Sequence, residues 1–489
     1  MNMVNKSDEP VQVPAQRPRM PKGVSGMAIT ELWERFSFYG LQGILSFYLL
    51  FSLSEGGLQL DKAVAVGIVG AYGGSVYIAQ IVGAWLGGRV ISPQRMVLYG
   101  ALVIMAGHLT LAFVHGIVGL GLGLTLIVAG TGALKTNITS IVGFVLDESE
   151  AETRDVGFSY FYIAINIGAV TGPLLTGFVQ SRYGFHWGFA LAAIGMAFAV
   201  IHYIRKSPEL PQRARLVANP LPYKQLWRIA ALVVVAAGVT AAAFASGVVN
   251  ERNVTTAITV LALIIAAAYF GVILRSKSAT AGDKRQIIGY IPLFLAASVY
   301  FALLFQKFTA ISILIVERID RSFGGWEFPA AWITLVSPLA LVLITPFVAR
   351  VWLRLGTRQP STPVKYSIGL IQIGLAYGLL LVVATVTGTG PIPLFLILLV
   401  MGIAGTSEVF IGPIGLSLAT RIGPETYRSQ MVALNFLTIA LGSSLSGLLG
   451  QYFTVVSNAA YFVTVSGIGL LVGVAVAVNR TSINRLLTS

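Results

Sequence analysis

Three ionisable side chains interrupt the first long apolar run of the chain, in Glu31-Leu-Trp-Glu34-Arg35-Phe-Ser-Phe-Tyr39-Gly40. At about 100° per residue, Glu31, Glu34 and Arg35 fall on one helix face, so the two carboxylates and the guanidinium can pair. A charge in hydrocarbon costs from about 2.5 to over 10 kcal/mol, which turns such a stripe toward a bundle interior or a wet cavity. The competing reading starts the span at Phe36 and leaves the charges among lipid headgroups; the 18 residues from Phe36 to Leu53 are only just enough to cross.

Other polar groups lie at similar depth. Lys135, followed by Thr136, Asn137, Thr139 and Ser140, is well inside the run 117–145, beyond the reach of snorkelling. Glu408 sits midway in the run 391–420, after Thr406 and Ser407 and before Pro413, which is expected to break the helix and free carbonyls. Gln306 and Lys307 lie in the run 285–317, nearer its outer end. Asn166, in Phe161-Tyr-Ile-Ala-Ile-Asn166-Ile-Gly168, either faces a cavity or ties helices together. Glu31, Glu34 and Glu408 balance Arg35, Lys135 and Lys307, as a closed buried site requires. Protonating one carboxylate releases a cation to hold an anionic group, the logic of a proton-coupled carrier.

Apolar runs must position these groups. Of 489 residues 56% are hydrophobic and only 11% charged, with a mean hydropathy of +0.81. Soluble domains carry about 25% charged residues, so this is an all-α polytopic membrane protein. The net charge of +14 is spread between spans rather than gathered in a patch, which argues against nucleic acid. With no cysteine and four scattered His, disulfides and thiolate metal sites are excluded, and neither metal nor other cofactor is expected.

Fourteen runs long enough to span are expected, at 27–53, 63–90, 94–114, 117–145, 155–180, 186–205, 224–249, 254–275, 285–317, 329–353, 364–387, 391–420, 427–453 and 457–479. With both termini inside, 25 of the 33 Lys and Arg fall on the cytoplasmic side. Only Lys62, Arg182, Arg252, Arg318 and Arg321 fall outside, and Arg35, Lys135 and Lys307 lie within spans. The chain divides into a disordered cytoplasmic tail (1–22), a six-helix bundle (23–206), a Pro-rich linker (207–223), two extra peripheral helices (224–276), a second six-helix bundle (277–480) and a short tail (481–489). Six plus six spans suit a two-half carrier with its site near the midplane. Gly70, Gly74, Gly83 and Gly87, and likewise Gly121, Gly123, Gly130 and Gly132, are expected to let helices approach closely.

Four segments in order resemble signatures of the proton-dependent oligopeptide transporters of the major facilitator superfamily. They are Glu31-x-x-Glu34-Arg35-Phe36 with Phe38-Tyr39-Gly40, Gly132-Ala-Leu-Lys135-Thr-Asn137, Phe158 to Gly168, and Ser407-Glu408 with Gly412-Pro413-Ile-Gly415-Leu-Ser417. The two helices inserted between bundles match the bacterial members. The resemblance implies import of di- and tripeptides with protons. It places Arg35 and Lys135 at the peptide carboxylate, Glu408 and Asn166 toward its amino end, Tyr39 and Tyr77 in the cavity wall, and Glu31 and Glu34 as the proton-handling pair. Gln306, Lys307, Ser407 and Asn435 complete the expected substrate set. Departures are Gln42 for an arginine, Gln306 for a glutamate, Phe38 for a tyrosine, Ser337 for an asparagine, Asn435 for a tryptophan, and Gly87-Gly88-Arg89 without the usual aspartate.

Peptide symport across the cell membrane by a monomer, driven by the proton gradient alone, is the leading expectation. Carriage of another small anion or zwitterion is the alternative, since a fold does not define its cargo. An intramembrane enzyme or receptor is disfavoured, because no nucleophile–base pair, metal set or phosphate loop stands out.

Overall fold

A computed structural model describes residues 23–146 and 151–488. The tail 1–22 and Ser489 lie outside the described residues. The first half of the chain folds as α1 (Val24–Leu50), α2 (Lys62–Arg89), α3 (Pro93–Phe113), α4 (Gly116–Leu146), α5 (Ala151–Tyr183) and α6 (Phe185–Lys206). A linker with one helical turn, α7 (Gln212–Arg215), leads to α8 (Tyr223–Ala245) and α9 (Val254–Arg275). The second half comprises α10 (Ala281–Leu304), α11 (Ala310–Arg318), α12 (Ala330–Leu355), α13 (Thr362–Thr387), α14 (Leu394–Ser407), α15 (Gly412–Ala419), α16 (Arg428–Phe453), α17 (Asn458–Val478) and the short α18 (Arg480–Leu487).

Thirteen helical stretches are long and apolar enough to cross a bilayer, counting α10 with α11 and α14 with α15 as one each. The charged α1, 27 residues long, is the fourteenth. At 1.5 Å per residue it runs about 40 Å, enough to span with its charges inside. This removes the reading in which the first span starts at Phe36: the helix begins twelve residues earlier, at Val24.

Both described termini lie at one end of the molecule, here the terminal end; the loops 51–61, 246–253 and 319–329 mark the other, the loop end. At the loop end two short strand pairs, Ile319–Asp320 with Ile392–Pro393 and Ser322–Phe323 with Trp326–Glu327, brace the C-terminal half. The linker is pinned to the N-terminal half, where Asn219 N–H donates to Gly88 O and Leu221 N–H to Arg89 O, both at 3.1 Å.

Close helix approach sets the frame. On α2, a Cβ at Gly70 would lie 2.6 Å from Gly447 Cα of α16, and one at Gly83 would overlap the Gly132 carbonyl of α4. Gly123, Gly130 and Gly132 also pack against neighbouring helices, whereas Gly121 faces open space and makes no such contact. The halves meet at the loop end. Ser46 Oγ donates to Phe308 O at 2.6 Å, Trp332 Nε1 to Leu174 O at 2.9 Å, Gln451 Nε2 to Ala63 O at 3.3 Å, and Lys62 pairs with Glu317. Of the two extra helices, α8 has no buried residue among those described, while α9 lies across the α2–α16 seam and Thr255 Oγ1 donates to Gly67 O.

Candidate functional site

The N-terminal wall of the site is built on α1 and α4. Arg35 donates from Nε to Glu34 Oε2 at 2.5 Å and from Nη2 to Glu34 Oε1 at 2.7 Å. Its Nε lies 3.4 Å from Glu31 Oε1, the same oxygen that Lys135 Nζ engages from α4. Glu31 is 0%, Glu34 1% and Arg35 5% exposed and Lys135 is half-buried, so two carboxylates and two cations form one neutral group largely withdrawn from solvent. Burying such a group is tolerable only because the charges cancel and are hydrogen-bonded. Among the described residues the second oxygen of Glu31, Oε2, is buried without a partner. That acceptor is poised to take a proton or a donor. Rings flank the cations: Arg35 lies 4.7 Å from the Phe38 centroid and 5.8 Å from Tyr39, and Lys135 lies 5.9 Å from Phe161.

Local sequence holds these side chains in place. A Cβ at Gly168 of α5 would stand 2.4 Å from Leu32 O and 2.8 Å from Arg35 Cβ, so only glycine lets α5 press against the charged turn of α1. Ser37 Oγ donates to Ala192 O of α6 at 2.7 Å, and Thr176 Oγ1 to Gly40 O at 3.0 Å. On α4, Asn137 Nδ2 donates to Gly83 O at 3.0 Å and to Ala133 O at 2.8 Å, fixing the turn that carries Lys135.

The C-terminal wall is made where helices break. The 3-10 turns Phe305–Phe308, between α10 and α11, and Glu408–Phe410, between α14 and α15, interrupt two spans at Lys307 and Glu408. Pro413 sits in the first turn of α15, as the sequence predicts. Lys307 Nζ donates to Ser337 Oγ of α12 at 3.3 Å and lies 5.1 Å from the Phe308 centroid. Ser407 Oγ shares a hydrogen bond of 2.9 Å with Tyr300 OH and donates to Ala404 O at 2.6 Å. Gln372 Nε2 ties α13 to α14 at Ile403 O, 3.0 Å, and Thr406 Oγ1, 2.7 Å.

Tyr39 and Tyr77, half-buried, are within electrostatic reach of both the Glu34–Arg35 pair and Glu408, while Tyr162 and Tyr300 are within reach of Glu408. A cavity of about 520 Å³ between α5 and α12 is lined by Tyr162, Asn166 and Thr171 on one side and Val342, Thr345 and Pro346 on the other. Asn166 lines it and donates from Nδ2 to Tyr162 O at 2.7 Å, within its own helix; Arg35, Lys135 and Glu408 do not line it.

Two expected substrate residues sit inside the C-terminal half. Gln306 is fully buried, donating from Nε2 to Ala302 O at 2.8 Å and Ser446 O at 3.3 Å. Its Oε1 accepts from Tyr461 OH at 2.5 Å and Thr309 Oγ1 at 3.0 Å, so its amide has no capacity left for cargo. Asn435 is 7% exposed, and its Oδ1 approaches Gly415 of α15. Sequence reasoning missed Tyr162 and Tyr300. Both lie in aromatic-rich helices where no spacing separates a wall tyrosine from a core one.

Two helical bundles meeting at one end, with opposed charges at broken helices between them, define a secondary transporter of the major facilitator type, a multi-pass membrane protein and not an enzyme. The chain belongs to the POT family: residues 94–465 match the family described as PTR2, POT family. It is 33% identical over 483 residues, 96% of each chain, to the di-/tripeptide transporter of Lactococcus lactis subsp. cremoris. It resembles the crystal structure of a peptide transporter POT in complex with sulfate, with 35% identity, a TM-score of 0.91 and 96% of each chain covered. It also resembles a POT family transporter in complex with 5-aminolevulinic acid, with 29% identity, a TM-score of 0.90, and 95% of this chain and 97% of that one covered.

Proposed function

We propose that the chain is a proton-coupled symporter that imports di- and tripeptides across the cell membrane by alternating access, with both termini in the cytoplasm. The observation that carries this reading is the neutral quartet of Glu31, Glu34, Arg35 and Lys135, with Glu408 at a helix break of the other half and Tyr39 and Tyr77 within electrostatic reach of both. A peptide is a zwitterion with variable side chains. Cations on one wall and a carboxylate on the other hold its two ends and make little demand on the side chains in the middle. The relative named a di-/tripeptide transporter supports the same cargo.

Protonation drives the cycle through the quartet. With both carboxylates charged, Arg35 and Lys135 are engaged and have little to offer cargo. A proton arriving at Glu31 or Glu34 leaves one cation in excess, and the peptide carboxylate restores neutrality. Loss of the proton on the cytoplasmic side returns the cations to their acids and expels the peptide. The loop-end bonds between the halves, including Lys62 with Glu317, correspond to the state closed to the outside. No cofactor is required, and a single chain contains every group named.

A second reading has its own support in the relative crystallised with 5-aminolevulinic acid: a small non-peptide zwitterion as cargo. Proteoliposome uptake separates the two. Labelled dialanine should accumulate under an inward proton gradient and be displaced by other dipeptides but not by free amino acids. Failure to accumulate dialanine, with uptake of 5-aminolevulinic acid in its place, would reverse the order.

A further inference from the structure

The terminal end of the C-terminal half is basic with no acid to answer it. Between Phe328 and Pro424 the only carboxylate is Glu408, inside a span, whereas Arg350, Arg354, Arg358, Lys365 and Arg421 all stand toward the terminal ends of α12, α13 and α15. Among the described residues none of these five forms an ion pair. Lys365 Nζ lies 4.5 Å from the Trp352 centroid, donates only to the neutral Gln359 Oε1 at 3.0 Å, and is within electrostatic reach of Arg421. Arg421, exposed, donates from Nε to Ser417 O at 3.2 Å. Two like charges within reach of each other repel, and an anion between them relieves the repulsion. From the same face of α13 an apolar groove of about 510 Å³ runs toward the midplane beside Ile403 of α14. At about 100° per residue, Lys365, Ile368, Gln372 and Leu379 share that face, so the lysine stands at the mouth of the groove. Ile368 to Leu379 covers roughly 16.5 Å at 1.5 Å per residue, close to the ~15 Å of hydrocarbon in one leaflet.

We propose that this groove, with Lys365 and Arg421 at its mouth, binds one anionic phospholipid of the surrounding bilayer, its phosphate between the two cations and an acyl chain along α13 from Ile368 to Leu379. Charge selects the headgroup. A phosphate accepts charge-assisted hydrogen bonds from both the ammonium and the guanidinium, whereas a zwitterionic headgroup brings a third cation to a place that already holds two. Shape selects the source, because a free phosphate ion would answer the cations and leave the groove beside them unfilled. Leu375, 59% exposed, and Ile368, 36% exposed, line that groove, and Gln372 turns its amide donors away to Ile403 O and Thr406 Oγ1 of α14. The Trp352 ring under Lys365 suits the level at which aromatic side chains border the headgroups. Each cation near the membrane surface strengthens binding of acidic lipid about fivefold, so the pair favours an anionic over a zwitterionic lipid about tenfold to thirtyfold. Neither the quartet nor Glu408 lines the groove, so the lipid does not compete with cargo.

The test counts the lipid kept by the full chain in native mass spectrometry, after exchange in micelles holding equal amounts of phosphatidylglycerol and phosphatidylcholine with the same acyl chains. The parent is expected to keep one phosphatidylglycerol with a preference of about tenfold or more. Lys365→Gln with Arg421→Gln should abolish that preference, and Lys365→Arg should preserve it. Arg95→Gln, which removes an exposed cation at the terminal end of the other half, should leave it unchanged. Leu375→Trp obstructs the groove without touching a charge and should also release the lipid, and an unchanged melting temperature shows that each variant is folded. Equal retention of the two lipids by the parent would overturn the site, as would phosphatidylglycerol kept undiminished by the double variant or by Leu375→Trp. Displacement of the lipid by excess inorganic phosphate would overturn it in favour of a free ion.

Discussion

Changing Glu34 to Gln removes one charge from a group of four and should uncouple transport from the proton gradient. Arg35 holds Glu34 through bonds of 2.5 and 2.7 Å, and neither side chain is more than 6% exposed. Glutamine keeps one acceptor but turns the other position into a donor facing a guanidinium N–H. One charge-assisted bond is then lost, about 1.5–3 kcal/mol. The cation left with reduced compensation raises the cost toward about 3–5 kcal/mol, as for a broken buried pair. Glu31 cannot absorb it, because its Oε1 lies 3.4 Å from Arg35 Nε and already serves Lys135. A standing excess of one positive charge favours the cargo-bound carrier at every pH, so peptide binds but no longer leaves when the proton does. At about 1.4 kcal/mol per factor of ten, even 3 kcal/mol biases the cycle more than a hundredfold. Gradient-driven accumulation of dialanine should therefore fall at least about tenfold, while exchange of labelled for unlabelled dialanine at equal pH continues. Glu34→Gln accumulating peptide as the parent does, or losing exchange and accumulation in equal measure, would refute the reasoning.

Lys135→Ala should abolish gradient-driven uptake while the protein still folds, since it leaves Glu31 paired only with Arg35; parental uptake would count against its role. Gln306→Glu should lower the melting temperature, because a carboxylate oxygen would face the Ala302 and Ser446 carbonyls where Nε2 now donates; the expected loss is about 2–4 kcal/mol. The chain has no cysteine, so Lys62→Cys with Glu317→Cys gives a clean disulfide pair across the loop end: oxidation should block uptake and reductant restore it, and uptake indifferent to oxidation would contradict a gate there. Gly168→Val should prevent α1 and α5 from seating and leave little monodisperse protein by size exclusion; parental yield would show that the contact is dispensable.

The fourteen spans were legible because membrane helices announce themselves by length and apolarity, and the break at Glu408 because Pro413 marks it. The quartet was half legible. Helical spacing put Glu31, Glu34 and Arg35 on one face, but only the fold brings Lys135 of α4 onto Glu31. Gln306 and Lys307 show the limit: adjacent in sequence, they part at a 3-10 turn, one into the core beside Tyr461 and the other toward Ser337. Nothing in local composition sets that direction. Gly121 resembles the packed glycines of α4 yet faces open space, since a small residue permits close approach without requiring it. The extra helices were read as one peripheral pair, whereas α9 lies on the seam, through a threonine that no pattern singles out.

A structure determined with a dipeptide bound tests the central claim most directly. The account predicts the peptide carboxylate on Arg35 or Lys135, its ammonium at Glu408, and Tyr39 and Tyr77 against its backbone. A map with the peptide elsewhere, and apolar packing sealing Arg35 and Lys135 from Glu408, would contradict it.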